Sequence, residues 1–297
     1  MLQRDAPLVS PGVYDCISAK IVQRAGFDCA FISGSSVTAS ILGFPDVGLE
    51  SMPEVLTQAR NIARAVDIPV IVDAGAGYGN AVNVTRAVDE FERAGLAGIF
   101  IEDQTFPPRC GHFDGIQVIP ADEMIVKIRA ACRSRRDEDF IVIARTDART
   151  VHGLDEAIAR AASYRNAGAD VVFIEGLASV DELRRVGQEA PKPLQANIAD
   201  DDGRLALPVA QLFEMGFKLI SYSGTLQRGA IRAMQDVLEV LRTQGSTRGL
   251  VPDRVVSLAA RSELLELSKY LALESDLFSP LLAAEQRLEA GHRGSRT

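Results

Sequence analysis

The chain has 297 residues, 47% hydrophobic and 24% charged, with a formal net charge of −8. This is an ordinary globular composition, large enough for a sizeable core, and its acidic balance argues against a nucleic-acid partner. No apolar run is long enough for a membrane-spanning helix, and the four cysteines form no C-x-x-C pair or disulfide framework. The opening "MLQRDAPLVSPGVYD" lacks a basic stretch followed by an apolar one, so a reducing, cytoplasmic setting is expected.

The first strand is expected within "LVSPGVYD" at 8–15. After it one phrase recurs: "RAGFDCAFISG" at 24–34, "RAGLAGIFIED" at 93–103, "NAGADVVFIEG" at 166–176 and "EMGFKLISYSG" at 214–224. In each, a glycine closes an amphipathic stretch and a short apolar run follows. Glycine ends a helix cheaply in the left-handed conformation, and the run is too short for a helix but suits a strand buried on both faces. Three further runs interleave with these, "IPVIVDAG" at 68–75, "FIVIARTDA" at 140–148 and "PLQANIAD" at 193–200, while helical patterns cover 84–94 and 154–167. Eight strands alternating with helices predict a parallel sheet, and the unit count fits a closed (β/α)8 barrel spanning 1–245. A doubly wound open sheet is the alternative. From about Leu250 the register changes to "VVSLAARSELLELSKYLALESDLF", an amphipathic stretch with no strand after it. It predicts a helical arm, 246–297, with a frayed "EAGHRGSRT" end.

The predicted strand ends carry Ser33 and Gly34, Asp73, Glu102 and Asp103, Arg145 and Asp147, Glu175, Asn197, Ser221 and Ser223. Polar residues do not belong in a barrel core, so these are expected to converge on the C-terminal face, where such barrels do chemistry. The loop "DAGAGYGNAVNV" at 73–84 misses the dinucleotide fingerprint, because Asn80 stands at its sixth position, but its glycines let backbone approach a carboxylate or phosphate. Asp73 and Glu102, with Asp103 as a third candidate, are hard oxygen ligands suited to Mg²⁺, with Mn²⁺ as a substitute; ion pairs with nearby arginines are the competing reading. Zinc is not expected, since Cys110 and His112 stand alone. Arg145 leaves a very apolar strand and needs a carboxylate, either Asp147 or a substrate group. The loop "FPPRCGHFDG" at 106–115 sets Arg109, Cys110 and His112 side by side, so Cys110 is either a reactive thiol beside a cation or an inert half-buried one.

These blocks together resemble the isocitrate lyase/phosphoenolpyruvate mutase superfamily over nearly the whole chain. The similarity is carried by "FISGSSVTASILGFPDVGL", "IPVIVDAGAGYGNAVNV", "IFIEDQTFPPRCGHFDG", "VIARTDA", "VFIEG" and "QANIAD", in the family's order and spacing. The resemblance implies a (β/α)8 barrel, Mg²⁺ dependence, chemistry on 2-oxo acids or enolates, and a homo-oligomer, dimer or tetramer, that swaps its C-terminal helices. The R-C-G-H run is typical of the carbon–carbon lyases of the methylisocitrate and dimethylmalate type. By this likeness Cys110 protonates the departing carbanion, Arg109 lowers its pKa, and His112 and Gly111 hold substrate. Ser33, Gly34 and Ser35 cradle a substrate carboxylate, Arg145 binds the oxo-acid carboxylate, and Asp46 is an acid near the site. Asp73 is the direct metal ligand, with Glu102 acting directly or through water, and Glu175 and Asn197 support and bind substrate. Three positions depart from the family pattern: Gly75 replaces a second aspartate, Pro108 a lysine and Phe31 a tyrosine. The expected activity is cleavage of a 2-hydroxy di- or tricarboxylate. The alternatives are oxaloacetate decarboxylation or hydrolysis, phosphonomutase chemistry, and a non-catalytic carboxylate-binding barrel.

Overall fold

The computed structural model of the chain describes residues 1–198 and 205–279. Eight parallel strands close into a barrel in sequence order: β1 (Leu8–Val13), β2 (Ala30–Ile32), β3 (Val70–Asp73), β4 (Gly98–Glu102), β5 (Ile141–Thr146), β6 (Val171–Ile174), β7 (Leu194–Asn197) and β8 (Phe217–Tyr222). β1 pairs with both β2 and β8, which completes the ring. The expected closed barrel is therefore present and the open sheet is not. Each strand is shorter than the apolar run that announced it, because the flanking glycines and polar residues belong to the turns. Two expected pieces, the end of the seventh run at 199–200 and the polar terminus 289–297, lie outside the described residues.

The helices are α1 (Cys16–Arg24), α2 (Gly34–Leu42), α3 (Met52–Ala65), α4 (Ala81–Arg93), α5 (Ala121–Ser134), α6 (Ala148–His152), α7 (Leu154–Asn166), α8 (Val180–Glu189), α9 (Val209–Glu214), α10 (Thr225–Gln244) and α11 (Leu258–Leu264). Their starts are set by local chemistry. Asp15 and Ser18 form a reciprocal capping box on α1, as do Asn80 and Asn83 on α4, satisfying N–H groups that a first turn leaves unpaired.

Apolar side chains form two layers. Ala30, Ile32, Val70, Val72, Ile99, Ile101, Val142 and Ala144 face outward and pack under the helices. The intervening Phe31, Ile71, Phe100, Ile143, Phe173 and Leu219 fill the barrel interior, with the Phe31 and Phe100 rings edge to face at 5.7 Å. This alternation decides where the site lies. Two residues beyond each interior apolar residue comes Ser33, Asp73, Glu102, Arg145, Glu175 or Ser221, so the strand period of two turns the top interior layer polar.

The chain divides into two compact units, Met1–Ala230 and Ile231–Thr297, which meet within α10; the boundary read from sequence stood at 245/246. In the second unit α11 is followed by helical residues 267–279, with Glu266 at a φ of 57° between them. Among the described residues no helix is long and apolar enough to cross a membrane.

Candidate active site

A cavity of about 360 Å³ opens at the C-terminal ends of the strands. It is lined by Ser33, Gly34, Ser35, Asp46, Asp73, Glu102, Arg109, Cys110, Gly111, His112, Arg145, Glu175 and Asn197. The thirteen residues to which the resemblance gave a catalytic, substrate or metal role thus line one cavity. The lining also includes Ser223, one of the strand-end residues expected on this face, and Glu50, Phe100, Phe173, Gln195 and Arg228, which sequence reasoning did not choose as site residues. The two phenylalanines were findable: each stands two residues before a polar strand end. Glu50 and Arg228 carry no such signal, since they lie in a loop and on α10.

Arg145 forms the floor. Its Nε donates to Asp147 Oδ2 at 2.8 Å and its Nη2 to Asp147 Oδ1 at 2.6 Å. Glu102 and Glu175 approach the same guanidinium at 3.4 Å each, and the rings of Phe100 and Phe173 lie 5.6 Å from its Cζ. Asp147 is therefore the structural partner, and the cation is already engaged by three acids. A fork-to-fork pair of this kind fixes the plane of the guanidinium as well as its charge.

The acids outnumber the bases. Among the described lining residues are Asp46, Glu50, Asp73, Glu102 and Glu175 against Arg109, Arg145 and Arg228. Burial pushes Asp73 up to about 7 although the Gly75 N–H and Arg145 oppose it. Burial, with Glu50 adding repulsion, pushes Asp46 up to about 6. Glu102 is also raised well above the carboxylate range by burial. Asp73 accepts from Gly75 N at 2.9 Å and from Gly34 N at 3.4 Å, and Glu50 has an Oε2 that is buried with no partner. Buried, under-satisfied carboxylates on one wall call for a cation.

Asp103, the third candidate for a metal, is not in this set. It follows Glu102 and so points to the other side of β4, where Thr146, Arg160 and Tyr164 surround it. Among the described residues no three His, Cys, Asp or Glu side chains converge tightly enough to enclose an ion by themselves. Mg²⁺ commonly needs only one or two protein carboxylates and takes water and substrate oxygens for the rest, so the donor set at Asp73 and Glu102 fits it.

The thiol loop lies over this floor. Cys110 N donates to Asp46 O at 3.0 Å. Gln104, 1% exposed, holds the loop at both Arg109 N (3.1 Å) and Arg109 O (2.8 Å). Gly48 abuts Pro107 and Pro108 so closely that a Cβ there would stand 2.6 Å from Pro107 Cβ. Gly111 sits on the Arg145 guanidinium, where any side chain would overlap Nη2. Arg109 does not take the place the resemblance gave it. Its Nη1 donates to Asp114 O at 3.0 Å, and the cation that acts on Cys110 is Arg145. The thiol pKa is pushed up, not down, to about 11, because burial and the charges of Asp46 and Glu175 outweigh Arg145 and the backbone N–H of His112.

The remaining candidates sit as follows. Ser33 caps α2 by accepting from Ser36 N, Asn197 accepts from Ser223 Oγ at 2.9 Å, and Gly176 N donates to Glu175 Oε1 at 2.9 Å.

The family profile described as phosphoenolpyruvate phosphomutase matches residues 1–242. The chain belongs to the phosphoenolpyruvate mutase/isocitrate lyase superfamily. It is 39% identical over 274 residues to a 2,3-dimethylmalate lyase of Eubacterium barkeri, covering 92% of this chain and 94% of that one. It is 37% identical over 297 residues to a 2-methylisocitrate lyase of Aeropyrum pernix, covering 100% and 94%. Among solved structures it resembles oxaloacetate acetylhydrolase in complex with 3,3-difluorooxalacetate (TM-score 0.86, 33% identity, 92% and 93% covered). It also resembles phosphonopyruvate hydrolase in complex with oxalate and Mg²⁺ (TM-score 0.83, 29% identity, 92% and 95% covered).

Proposed function

We propose that this superfamily member is a divalent-metal-dependent carbon–carbon lyase that cleaves a 2-hydroxy di- or tricarboxylate of the 2-alkylmalate or methylisocitrate type. The observation that carries the reading is that the Cys110 thiol, which burial pushes up to about 11, lines the same acid-rich cavity as Asp73, Glu102 and Arg145. Cleavage leaves an electron pair on carbon, and a neutral thiol at that position supplies the proton that pair needs. A thiolate nucleophile would require the opposite shift.

The roles follow from the geometry. Asp46, raised to about 6, is the carboxylate whose basicity suits removal of the substrate hydroxyl proton at neutral pH. As the carbon–carbon bond breaks, the hydroxyl carbon becomes the carbonyl of an oxo acid and the other carbon takes the proton from Cys110 Sγ. Ser33, Gly34 and Ser35, at the start of α2, offer donors to a substrate carboxylate. Arg145, with Glu102 and Glu175 around it, fixes the charge of the floor. Asp73, with Glu102 directly or through water, would hold Mg²⁺ or Mn²⁺, which supplies electrophilic stabilisation of oxygen charge on the oxo-acid side. The phosphonopyruvate hydrolase that was solved with oxalate and Mg²⁺ supports this choice of ion. The excess of carboxylates does so independently, because an anionic substrate would be repelled without a cation.

The chain is proposed to work as a homo-oligomer in the cytoplasm. α10 carries Ile231, Met234, Leu238 and Leu241 at helical spacing, each 44–61% exposed, and Tyr270, Leu273 and Leu277 follow in the tail. Such a stripe favours coverage by another subunit. Its four cysteines are free thiols, as a reducing compartment requires.

Oxo-acid release in a coupled assay, with oxalate formation followed beside it, tests the activity, using 2-alkylmalates, methylisocitrate and oxaloacetate with and without Mg²⁺. The expected result is metal-dependent turnover of at least one hydroxy acid. Turnover of oxaloacetate alone would overturn the lyase reading in favour of the hydrolase or decarboxylase one.

A further inference from the structure

We propose that Asp103 is a positioning residue for the reaction: from outside the barrel it fixes the backbone of Asp147, so that the Asp147 carboxylate holds Arg145 in place under the substrate. The proposal rests on the reading of the Arg145 cavity as the active site, and it concerns a group that touches neither substrate nor metal.

Asp103 is fully buried and every part of its carboxylate is used. Oδ1 accepts from the backbone N–H of Asp147 at 2.9 Å. Oδ2 accepts from Thr146 Oγ1 at 2.7 Å, Tyr164 OH at 2.7 Å and Arg160 Nη1 at 3.0 Å. Arg160 Nη1 also donates to Ile119 O at 2.8 Å, and Thr146 Oγ1 accepts from Ala148 N at 3.1 Å. The backbone of 146–148 is therefore pinned from three sides. Asp147 itself stands at the N-cap of α6, at φ −98°, ψ 8°. From that backbone its side chain reaches back two residues along the same strand end to make both bonds to Arg145.

A purely stabilising role explains this poorly. An ion pair as buried as Asp103 with Arg160, at side-chain exposures of 0% and 7%, is often neutral or worse against apolar residues of the same volume. What such a network does well is to select one geometry. The donors also come from a defined place. Arg160 and Tyr164 stand one turn apart on α7, the helix packed outside β5, so this helix face is coupled to the orientation of a guanidinium inside the barrel. The parity of β4 makes the arrangement possible, because Glu102 enters the cavity and Asp103 faces α7 from the next position.

The test uses arginine-¹⁵N-labelled full-length protein. The Nε–H signal of Arg145, identified by its loss in Arg145→Lys, reports the bond to Asp147 through its exchange with solvent. In Asp103→Asn, and in Tyr164→Phe, which keeps the ring in the core and removes one donor, this exchange should accelerate about tenfold or more. In parallel, kcat/KM on the hydroxy acid that the wild type turns over should fall about ten- to a hundredfold in Asp103→Asn. The same change made in an Asp147→Asn background should cost less than about twofold, since the path runs through Asp147. Unchanged Nε–H exchange in the folded variants, or a full multiplicative loss on top of Asp147→Asn, would overturn the proposal. If Asp103→Asn does not fold, Tyr164→Phe and Thr146→Val decide by the same readouts. The exchange measurement needs no substrate, so it still decides if the wild type turns over none of the panel, which is how the functional reading itself would fail.

Discussion

Glu102 and Asp103 are consecutive in the chain, similar in chemistry and both buried, yet they live in opposite environments. Glu102 enters a cavity where acids exceed bases, has only a 3.4 Å approach to Arg145, and is driven far above the carboxylate range by burial. Asp103 faces a helix and is saturated by four donors. The difference separates two uses of a buried carboxylate. One that is fully partnered by the protein builds structure, whereas one left short of donors is waiting for something the protein does not contain. By that criterion we propose that Glu50, Asp73 and Glu102 form the ligand side, with Asp103 and Asp147 as framework.

The comparison breaks most visibly at Asp73. Asp73→Ala should abolish Mg²⁺ binding measured by titration calorimetry, and turnover with it. Binding equal to the wild type would mean that the under-partnered wall is not a cation site. Next in size is Gly111→Ala. Its Cβ would overlap the Arg145 guanidinium, so the thiol loop could no longer lie on the floor. A loss of about a hundredfold in kcat, with an unchanged melting temperature and Mg²⁺ affinity, is expected. Wild-type kcat in this variant would show that the loop works from some other position.

A smaller effect sharpens the boundary of the ligand side. Glu50→Gln keeps shape and removes the charge of the unpartnered Oε2, so Mg²⁺ affinity should drop about three- to tenfold, less than at Asp73. The exposed Glu54, whose carboxylate caps α3, serves as control and should leave the affinity alone. An unchanged affinity in Glu50→Gln would move Glu50 out of the set. The smallest effect is on stability. Asp46 and Asp73 hold their protons to about 6 and 7 when folded but release them near 3.8 when unfolded. Between about pH 4 and 7 the unfolded chain therefore loses protons first, and these two groups favour folding less as the pH rises. Glu182, whose pKa Arg149 lowers, acts in the opposite direction, and only near and below the ordinary glutamate range. Metal-free protein should melt higher at pH 5 than at pH 8, and Mg²⁺ should narrow the gap. A melting temperature that rises steadily to pH 8 without metal would contradict the shifts.

The barrel was legible because its strands repeat one sentence, an amphipathic stretch, a glycine and a short apolar run, with polar residues at each end. The polar lining of the cavity was legible for the same reason: the strand period of two carries Phe31 to Ser33, Ile71 to Asp73 and Phe100 to Glu102. Parity could also have excluded Asp103 from the cavity, but that needs the register of β4, which a single apolar run does not fix. A basic neighbour in sequence does not say where a long side chain points, and Arg109 folds back on Asp114. Glu50 and Arg228 reach the cavity from a loop and a helix whose approach is set by tertiary packing, so no local pattern announces them.

Pyruvate release by Cys110→Ser beside the wild type, under saturating Mg²⁺ and hydroxy acid, tests the central claim most directly. The substitution preserves approximate shape and replaces a donor near 11 by a far weaker acid. A positioned proton donor contributes about 10²–10⁴-fold, so kcat should fall by that factor with Mg²⁺ affinity unchanged. Full turnover by Cys110→Ser would contradict the account, because the carbanion would then be taking its proton from elsewhere.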